Sequence, residues 1–172
     1  MSLCIIMGPM FAGKSSELIK RIKSSNAPKI VINNLLDNRY AKSEIATHDG
    51  TKIPCVSMET LEQLFANYHN MNIYALEDIK EIYIDEAQFF DNQILEVVGQ
   101  LANAGKRVIV AGLDMDYAGH PFGPMPQLLS IANFVTKLHA VCMQCGGVAS
   151  YSYRISNKRD QVVIGEKDHY EA

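Results

Sequence analysis

The stretch LCIIMGPMFAGKSSELIKRI, residues 3–22, contains the pattern that decides the fold of this chain. Its continuous apolar run at residues 3–7 predicts a buried strand, and the spacing of apolar side chains over residues 18–22 predicts an amphipathic helix. Residues 8–15 between them read GPMFAGKS and fit the pattern G-x-x-x-x-G-K-[ST]. A strand, a glycine-rich loop and a helix in this order predict a P-loop, which binds the phosphates of a nucleotide.

The residue types of this loop suit the binding of phosphate. Gly8 and Gly13 allow backbone N–H groups to point at the ligand without side-chain bulk, and the following helix adds its N-terminal amides and positive dipole end. Lys14 is expected to contact the outer phosphates of ATP, and the hydroxyl of Ser15 to ligate Mg²⁺. The other members of the predicted ATP-binding loop are Pro9, Met10, Phe11 and Ala12. A chance match on a tight turn is the alternative, and the flanking strand and helix argue against it.

The length, composition and net charge of the chain limit the class of protein to which it can belong. Its 172 residues suit one domain, or one domain with a small appendage, and 48% hydrophobic and 20% charged residues are ordinary for a globular protein. The formal net charge of -3 gives no long-range attraction for nucleic acid. No apolar run is long enough to span a bilayer, and the N-terminus does not have the pattern of a signal peptide. We therefore expect a cytoplasmic protein with no nucleic-acid or membrane partner.

Apolar runs that alternate with helical patterns predict the architecture of the core. Besides residues 3–7, unbroken runs predict buried strands at KIVIN (29–33), KEIYID (80–85) and RVIVAG (107–112). Strands of this kind, separated by helices, indicate a parallel sheet covered on both faces. We therefore predict an α/β fold with a P-loop NTPase core of the RecA-like kind over residues 1–138.

Three more helices and a second module complete the expected organisation. Helical spacing predicts helices at residues 57–68, 91–106 and 125–135. Ser57 is expected to cap the first of them. The pattern changes near residue 139 to short β-rich segments, so residues 139–172 are predicted to form a small β module.

Two adjacent carboxylates follow a predicted buried strand in IYIDEAQFF, residues 82–90. Asp85 ends the strand, which is where the aspartate of a P-loop enzyme holds Mg²⁺. Glu86 beside it is placed to accept a proton from an attacking nucleophile, which is either water or a substrate hydroxyl. The alternative is a solvated acidic pair at a strand end, and the P-loop upstream favours the functional interpretation.

The segment GLDMDYAGHPFG, residues 112–123, follows the last predicted core strand. It lies at the carboxyl edge of the sheet, where α/β proteins bind ligands. Tyr117 and Phe122 are flanked by glycine and proline, and aromatic rings on such a loop suit stacking against a flat base. The alternative, that these rings only pack the loop against the core, stands equally open.

The four cysteines fall into two kinds. Cys4 and Cys55 are expected to be small buried hydrophobes. Cys142 and Cys145 form a C-x-x-C, which is half of a tetrahedral zinc site, with a redox pair as the alternative. No second C-x-x-C follows, and His169 is the one downstream candidate for a third ligand, so the sequence does not establish a complete zinc site.

In this order, the motifs resemble those of the type II thymidine kinase family. The segments that carry the resemblance are GPMFAGKSSEL, DNRY with THDG, IDEAQFF, GLDMDYAGHPFG and VCMQCGGVASYSYR. The resemblance covers nearly the whole chain. It implies a kinase that transfers the γ-phosphoryl group of ATP to the 5′-hydroxyl of thymidine, giving dTMP and ADP, in nucleotide salvage for DNA synthesis. It also implies a homotetramer and a zinc-ribbon-like module that carries a lasso over the base.

The resemblance assigns roles to particular residues. Glu86 is implied to be the catalytic base, Asp85 to organise Mg²⁺, and Gln88 to lie close to the nucleotides. The sites implied near ATP also include Asp37, Asn38 and Arg39. The implied thymidine site comprises Met10, Leu113, Tyr117 and Phe122, together with lasso residues Gln161, Val162, Val163, Ile164, Gly165 and Tyr170.

One departure from the family concerns the end of the chain. The family places its second zinc-ligand pair a few residues after the tyrosine that matches Tyr170, whereas this sequence ends at Ala172. We therefore expect either that the module over residues 139–172 is truncated, because the natural chain continues, or that its zinc site is degenerate. His169 matches a non-ligand position of the family. The alternatives to a thymidine kinase are a RecA-like ATPase, in which Glu86 activates water, and a non-catalytic nucleotide-binding protein.

Overall fold

A computed structural model describes residues 2–37, 43–46, 50–63, 78–155 and 169–172. The strands are β1 (Ser2–Met7), β2 (Lys29–Asn34), β3 (Glu44–Ala46), β4 (Lys52–Pro54), β5 (Val56–Met58), β6 (Glu81–Ile84), β7 (Arg107–Gly112), β8 (Phe134–Lys137), β9 (Ala140–Val141), β10 (Val148–Ala149), β11 (Tyr153–Arg154) and β12 (Tyr170–Glu171). The helices are α1 (Lys14–Ser24), α2 (Gln93–Asn103) and α3 (Met125–Ile131), with a short 3-10 helix at Ala87–Phe89. None of the described helices is long and apolar enough to cross a membrane.

The core of the molecule is a six-stranded sheet with the order β5-β2-β6-β7-β1-β8. Every neighbouring pair in it is parallel. Strand β1 lies between β7 and β8, and its register with β7 runs from Ser2 opposite Arg107 to Met7 opposite Gly112. The expected fold class, a parallel α/β sheet with a P-loop after its first strand, is therefore confirmed.

The alternation of side chains along the strands sorts the core into two clusters. Ile5 of β1 belongs to the cluster that includes Ile94 of α2, whereas its neighbour Ile6 belongs to the cluster that includes Leu18 of α1. Successive residues of a strand point to opposite faces, so helices cover both faces of the sheet. Cys4 lies in the second cluster and is 7% exposed, as expected for a small buried hydrophobe.

Two edge strands of the sheet lie where the sequence pattern predicts helix. Ser57 is predicted to cap a helix, but it belongs to β5 and pairs with Asn33 of β2. The helix predicted over residues 125–135 ends at Ile131, and Phe134 begins β8. This second helix is therefore confirmed over Met125–Ile131 and wrong beyond it, and the cap at Ser57 is wrong. In both places, pairing with a neighbouring strand outweighs the weak local preference of a short segment. The predicted helix beyond residue 63 lies outside the described residues.

After the sheet, the described residues form two short antiparallel pairs. Strands β9 and β10 make a hairpin that encloses Cys142 and Cys145, and β11 pairs with β12. A further antiparallel pair, β3 with β4, lies between β2 and β5 in the chain. This small C-terminal region carries the cysteine pair and places β12 next to residues 153–154.

Core packing on the α1 face predicts a large effect of truncation there. Leu18 has no exposed surface, so Leu18→Ala should lower the free energy of unfolding by about 2–5 kcal/mol through lost burial and a cavity. Lys20 of the same helix has a side chain that is 81% exposed, and Lys20→Ala should change stability by less than about 0.5 kcal/mol. Urea unfolding followed by circular dichroism measures both. Equal losses would contradict the assignment of this face.

Candidate active site

The predicted site segments meet at one edge of the sheet. The P-loop follows β1, Asp37 follows β2, Asp85 follows β6 and the segment 113–123 follows β7. These strands are parallel, so their carboxyl ends lie along the same edge. Segments that are far apart in the sequence are brought together in this way.

The P-loop backbone has the conformation that its glycines predict. Gly13, directly before α1, has φ +81, in the left-handed region that favours glycine. Gly8 has φ +149, and a Cβ there would lie 2.3 Å from the carbonyl oxygen of Leu138. Leu138 in turn donates its N–H to the Met7 oxygen at 2.8 Å. The chain after β8 therefore presses on the P-loop so closely that only glycine fits at Gly8.

The lysine and serine of the motif lie at the start of α1. Lys14 Nζ donates a hydrogen bond to the Pro9 carbonyl oxygen at 2.7 Å, which closes the loop on itself. The helix starts with the Glu17 N–H donating to the Gly13 oxygen at 2.9 Å. Ser15 lies in the first turn and is partly exposed. Two ATP-site candidates thus stand at the positive end of a helix dipole.

Asp85 and Glu86 form a buried acidic pair. Asp85 is 3% exposed and Glu86 8% exposed. The Asp85 Oδ1 accepts the Glu86 N–H at 2.9 Å. Glu86 itself has φ 52 and ψ 42, a left-handed conformation that costs a non-glycine residue about 1 kcal/mol. Strain of this kind is found at functional sites, where it turns a side chain in a direction that regular backbone does not allow.

Gln88 joins this acidic pair to the loop after β7. Its Nε2 donates to Glu86 Oε2 at 2.5 Å, and its Oε1 accepts the Leu113 N–H at 2.9 Å. Gln88 is 3% exposed. Gly123 packs so closely on its backbone that a Cβ on Gly123 would lie 2.2 Å from the backbone carbonyl oxygen of Gln88. Both ends of the amide are therefore engaged, which fixes the Glu86 carboxylate relative to Leu113.

Asp37 lies in the turn after β2, the strand that pairs with β6. Its N–H donates to the Asn34 oxygen at 3.1 Å in the turn after β2, and its Oδ2 accepts from Asn33 Nδ2 at 3.2 Å. The Asp85 N–H donates to the Ile32 oxygen of β2 at 2.9 Å, which holds the ends of β2 and β6 together. Asp37 and Asp85 therefore follow neighbouring strands at the same edge of the sheet.

The loop after β7 is organised by its own carboxylate. Asp116 is 4% exposed, and its Oδ1 accepts the N–H groups of Ala118 and His120 at 2.9 and 3.0 Å. Phe122 is 7% exposed and packs edge-on against Phe89, with 5.8 Å between ring centroids. Phe122 thus packs the loop onto the core, the alternative that the sequence left open for this ring.

Tyr117 and Tyr170 meet at a residue that the sequence did not single out. The guanidinium of Arg154 lies 3.7 Å from the centroid of the Tyr117 ring and 5.1 Å from that of Tyr170. Its Nη2 donates to the Tyr170 hydroxyl at 2.6 Å. No local pattern marks Arg154, because its partners are contributed by the loop after β7 and by β12.

The C-terminal region also contacts the P-loop directly. Ser152 is 6% exposed, and its hydroxyl accepts the Met10 N–H at 2.9 Å. A serine between two tyrosines gives no signal of this role in the sequence. Its contact joins the predicted ATP site and Met10 to the strand segment that carries Arg154.

The two cysteines of the hairpin adopt a tight turn. Backbone N–H groups of Cys145 and Gln144 hydrogen-bond to the Cys142 sulfur and lower the pKa of its thiol. The Gly146 N–H donates to the Cys142 oxygen at 2.9 Å. Two thiols supply half of a tetrahedral zinc site, and no group of three or more potential ligands occurs in the part of the chain that is described. His169 does not join the two cysteines in such a group.

The other partly buried cysteine behaves differently. Cys55 packs against the α1 side of the core, and burial raises the pKa of its thiol to about 11. Hence Cys55 is a neutral thiol at neutral pH, in keeping with its predicted role as a small hydrophobe.

Several predicted site residues lie outside the described residues. They are Asn38 and Arg39 after β2, and lasso residues Gln161, Val162, Val163, Ile164 and Gly165. Their roles stay predictions.

Comparison with known proteins decides the family. A family model described as thymidine kinase matches residues 1–172. The chain belongs to the thymidine kinase family. Curated relatives named thymidine kinase include those of Bacteroides thetaiotaomicron, 41% identical over 170 residues, and Mycoplasma mobile, 40% identical over 171 residues. The first alignment covers 97% of this chain and 81% of the Bacteroides protein. The second covers 98% of this chain and 82% of the Mycoplasma protein.

Other similarities agree with this membership or add nothing to it. A thymidine kinase from a Rhodothermus species is 41% identical over 171 residues, with 97% of this chain and 76% of the relative covered. A solved ATPase chain is similar at 13% identity and a TM-score of 0.43, covering 87% of this chain and 71% of its own. The family resemblance of the motifs and the assignment of the chain as a kinase are confirmed.

The close contact of Gly123 with Gln88 generates a prediction about the site. Gly123 has φ +51, so Gly123→Ala should combine left-handed strain of about 1–2 kcal/mol with a clash against the Gln88 backbone. Gly105→Ala is the matched control, because Gly105 has φ +82 but open space around its Cα. We expect Gly123→Ala to lose more stability in urea unfolding and more phosphoryl transfer. Equal effects of the two substitutions would show that the contact is unimportant.

The two cysteine environments predict different reactivity. At pH 7.5, Cys142 should be alkylated by iodoacetamide faster than Cys55. The lowered pKa of Cys142 increases its thiolate fraction, whereas burial raises the pKa of Cys55 and decreases its thiolate fraction. Peptide mass mapping over a time course measures both rates in one sample. Faster alkylation of Cys55 would contradict the described packing.

Proposed function

We propose that this chain transfers the γ-phosphoryl group of ATP to the 5′-hydroxyl of thymidine, giving dTMP and ADP, in nucleotide salvage for DNA synthesis. Its family and the names of its curated relatives support this reaction. The observation that carries it is the Gln88 amide, which bonds both Glu86 and the Leu113 N–H. A candidate base is thereby held against the loop that is proposed to bind the nucleoside.

The proposed donor site is the P-loop with the adjacent carboxylates. Lys14 and the backbone N–H groups of residues 8–15 would bind the ATP phosphates. A hydroxyl from Ser15 and a carboxylate from Asp85 are hard oxygen donors of the type that Mg²⁺ prefers, so these residues fit the ion. When bound, Mg²⁺ neutralises charge on the phosphates. By resemblance, Asp37, Asn38 and Arg39 would complete the proposed ATP site.

Glu86 is proposed to take the proton of the 5′-hydroxyl. Its burial and its hydrogen bond from Gln88 would keep the carboxylate oriented as the hydroxyl attacks. A positioned general base contributes about 10²–10⁴-fold to a rate. In this proposal, Gln88 contributes to the reaction by orienting the Glu86 carboxylate.

The proposed nucleoside site lies between the P-loop, the loop after β7 and β12. Met10 and Leu113 would shape the space around the base, Tyr117 would pack on it, and Phe122 would support the loop from below. Tyr170 and lasso residues 161–165 would close over it. Closure excludes water, so that a sugar hydroxyl rather than water receives the phosphoryl group.

Three further features are proposed from the family resemblance. Cys142 and Cys145 would supply two ligands of a structural zinc ion, and the N–H bonds to the Cys142 sulfur favour its thiolate form. We also propose a homotetramer. A cytoplasmic location is proposed as well.

The experiment that tests this function follows labelled phosphate from γ-labelled ATP with Mg²⁺. Parallel samples contain thymidine, deoxyuridine or no nucleoside. Label in dTMP supports the thymidine kinase. Release of free phosphate at the same rate in all samples would instead favour the alternative RecA-like ATPase, in which Glu86 activates water.

The base role of Glu86 has its own test. Glu86→Gln keeps the size of the side chain but removes its basicity, so kcat should fall by about 10²–10⁴-fold with ATP binding retained. Glu96→Gln is the matched control, because Glu96 lies exposed on α2, where its carboxylate accepts a hydrogen bond from the Gln100 amide. Steady-state assays of dTMP formation measure both. Phosphoryl transfer by Glu86→Gln at the unmutated rate would exclude Glu86 as the base.

A further inference from the structure

The segment from residue 151 to 155 alternates strictly between exposed and buried side chains. Tyr151, Tyr153 and Ile155 are 63%, 60% and 52% exposed, whereas Ser152 and Arg154 are 6% and 7% exposed. Side chains two apart in an extended segment point to the same side. Ser152 and Arg154 therefore both face inward, although one is polar and the other is charged.

These two inward side chains contact two different loops of the site. Ser152 accepts the Met10 N–H of the P-loop, and Arg154 lies over the Tyr117 ring of the loop after β7. Arg154 also donates to the hydroxyl of Tyr170 on β12. One short extended segment thus sets the spacing between the P-loop, the loop after β7 and the C-terminal strand.

The contact between Arg154 and Tyr117 limits how the ring can be used. At 3.7 Å from the ring centroid, the guanidinium occupies one face of Tyr117. A planar guanidinium stacks on an aromatic ring, and its fork holds a hydrogen-bond partner in a fixed direction. The bond to Tyr170 restricts the orientation of the guanidinium, and the guanidinium in turn restricts the movement of the Tyr117 ring that it contacts.

We propose that Arg154 is a positioning residue for the nucleoside, which it serves by holding the Tyr117 ring in the orientation that packs against the base. The proposal rests on the proposed function, because Tyr117 is the aromatic residue assigned there to the nucleoside. Arg154 does not touch the reacting atoms. Arg154 therefore affects the binding of the nucleoside, whereas the binding of the ATP phosphates depends on the P-loop.

The test compares Arg154→Lys and Arg154→Met with the unmutated chain. Loss of the stacked guanidinium should raise the KM for thymidine about ten-fold, while the KM for ATP stays within about two-fold. Tyr170→Phe keeps the ring but removes the hydroxyl, and should give a smaller rise of the same kind. Tyr153→Ala is the matched control, because Tyr153 is the exposed neighbour on the same strand.

A double substitution separates positioning from a general structural role. If Arg154 acts through Tyr117, then Tyr117→Leu raises the KM for thymidine, and adding Arg154→Met to it raises that KM little further. Additive effects, an equal rise in the KM for ATP, or an unchanged KM for thymidine would each overturn the proposal. If Arg154→Met does not fold in a thermal melt, Arg154→Lys and Tyr170→Phe provide the comparison.

The unmutated chain separates this proposal from the proposed function. Formation of dTMP by the unmutated chain, with an unchanged thymidine KM in the Arg154 variants, would overturn the positioning role alone. Absence of dTMP from the unmutated chain would overturn the proposed function, and the positioning role with it.

Discussion

The parallel pairing of β1 with β7 and β8 is the constraint on which the rest of the structure depends. It places β1 inside the sheet and aligns its carboxyl end with those of β6 and β7. The loops after these strands therefore meet along one edge. The buried apolar residues of the strands hold this alignment, because their alternation supplies a hydrophobic face to helices on each side.

Close backbone contacts then hold the loops in place. Gly8 lies against Leu138, and Gly123 lies against Gln88, at distances that leave no room for a side chain. These contacts place the P-loop against the chain that leaves β8, and the loop after β7 against the acidic pair. Gln88 adds a polar link, since its amide is hydrogen-bonded at both ends. The Glu86 carboxylate is thus oriented by packing that extends well beyond its own turn.

The small C-terminal region is part of this arrangement. Ser152 bonds the P-loop backbone, and Arg154 joins Tyr117 to Tyr170. A region that could have served only as a zinc-binding appendage therefore contacts both loops of the proposed active site. One extended segment therefore links the proposed phosphate site to the proposed nucleoside site.

By itself, the sequence determined the core strands β1, β2, β6 and β7, the P-loop and the positions of Asp85 and Glu86. These features depend on local patterns: buried apolar runs, glycines at required turns and charges at strand ends. The edge strands β5 and β8 were missed because exposed edge residues such as Phe134 do not form a buried run, and only pairing with β2 or β1 makes them strands. Tertiary structure alone decided the contacts of Gln88, Ser152 and Arg154. Ser152 bonds Met10, 142 residues away in the chain, and Gln88 bonds Leu113, 25 residues away. No local pattern specifies a contact that only folding creates.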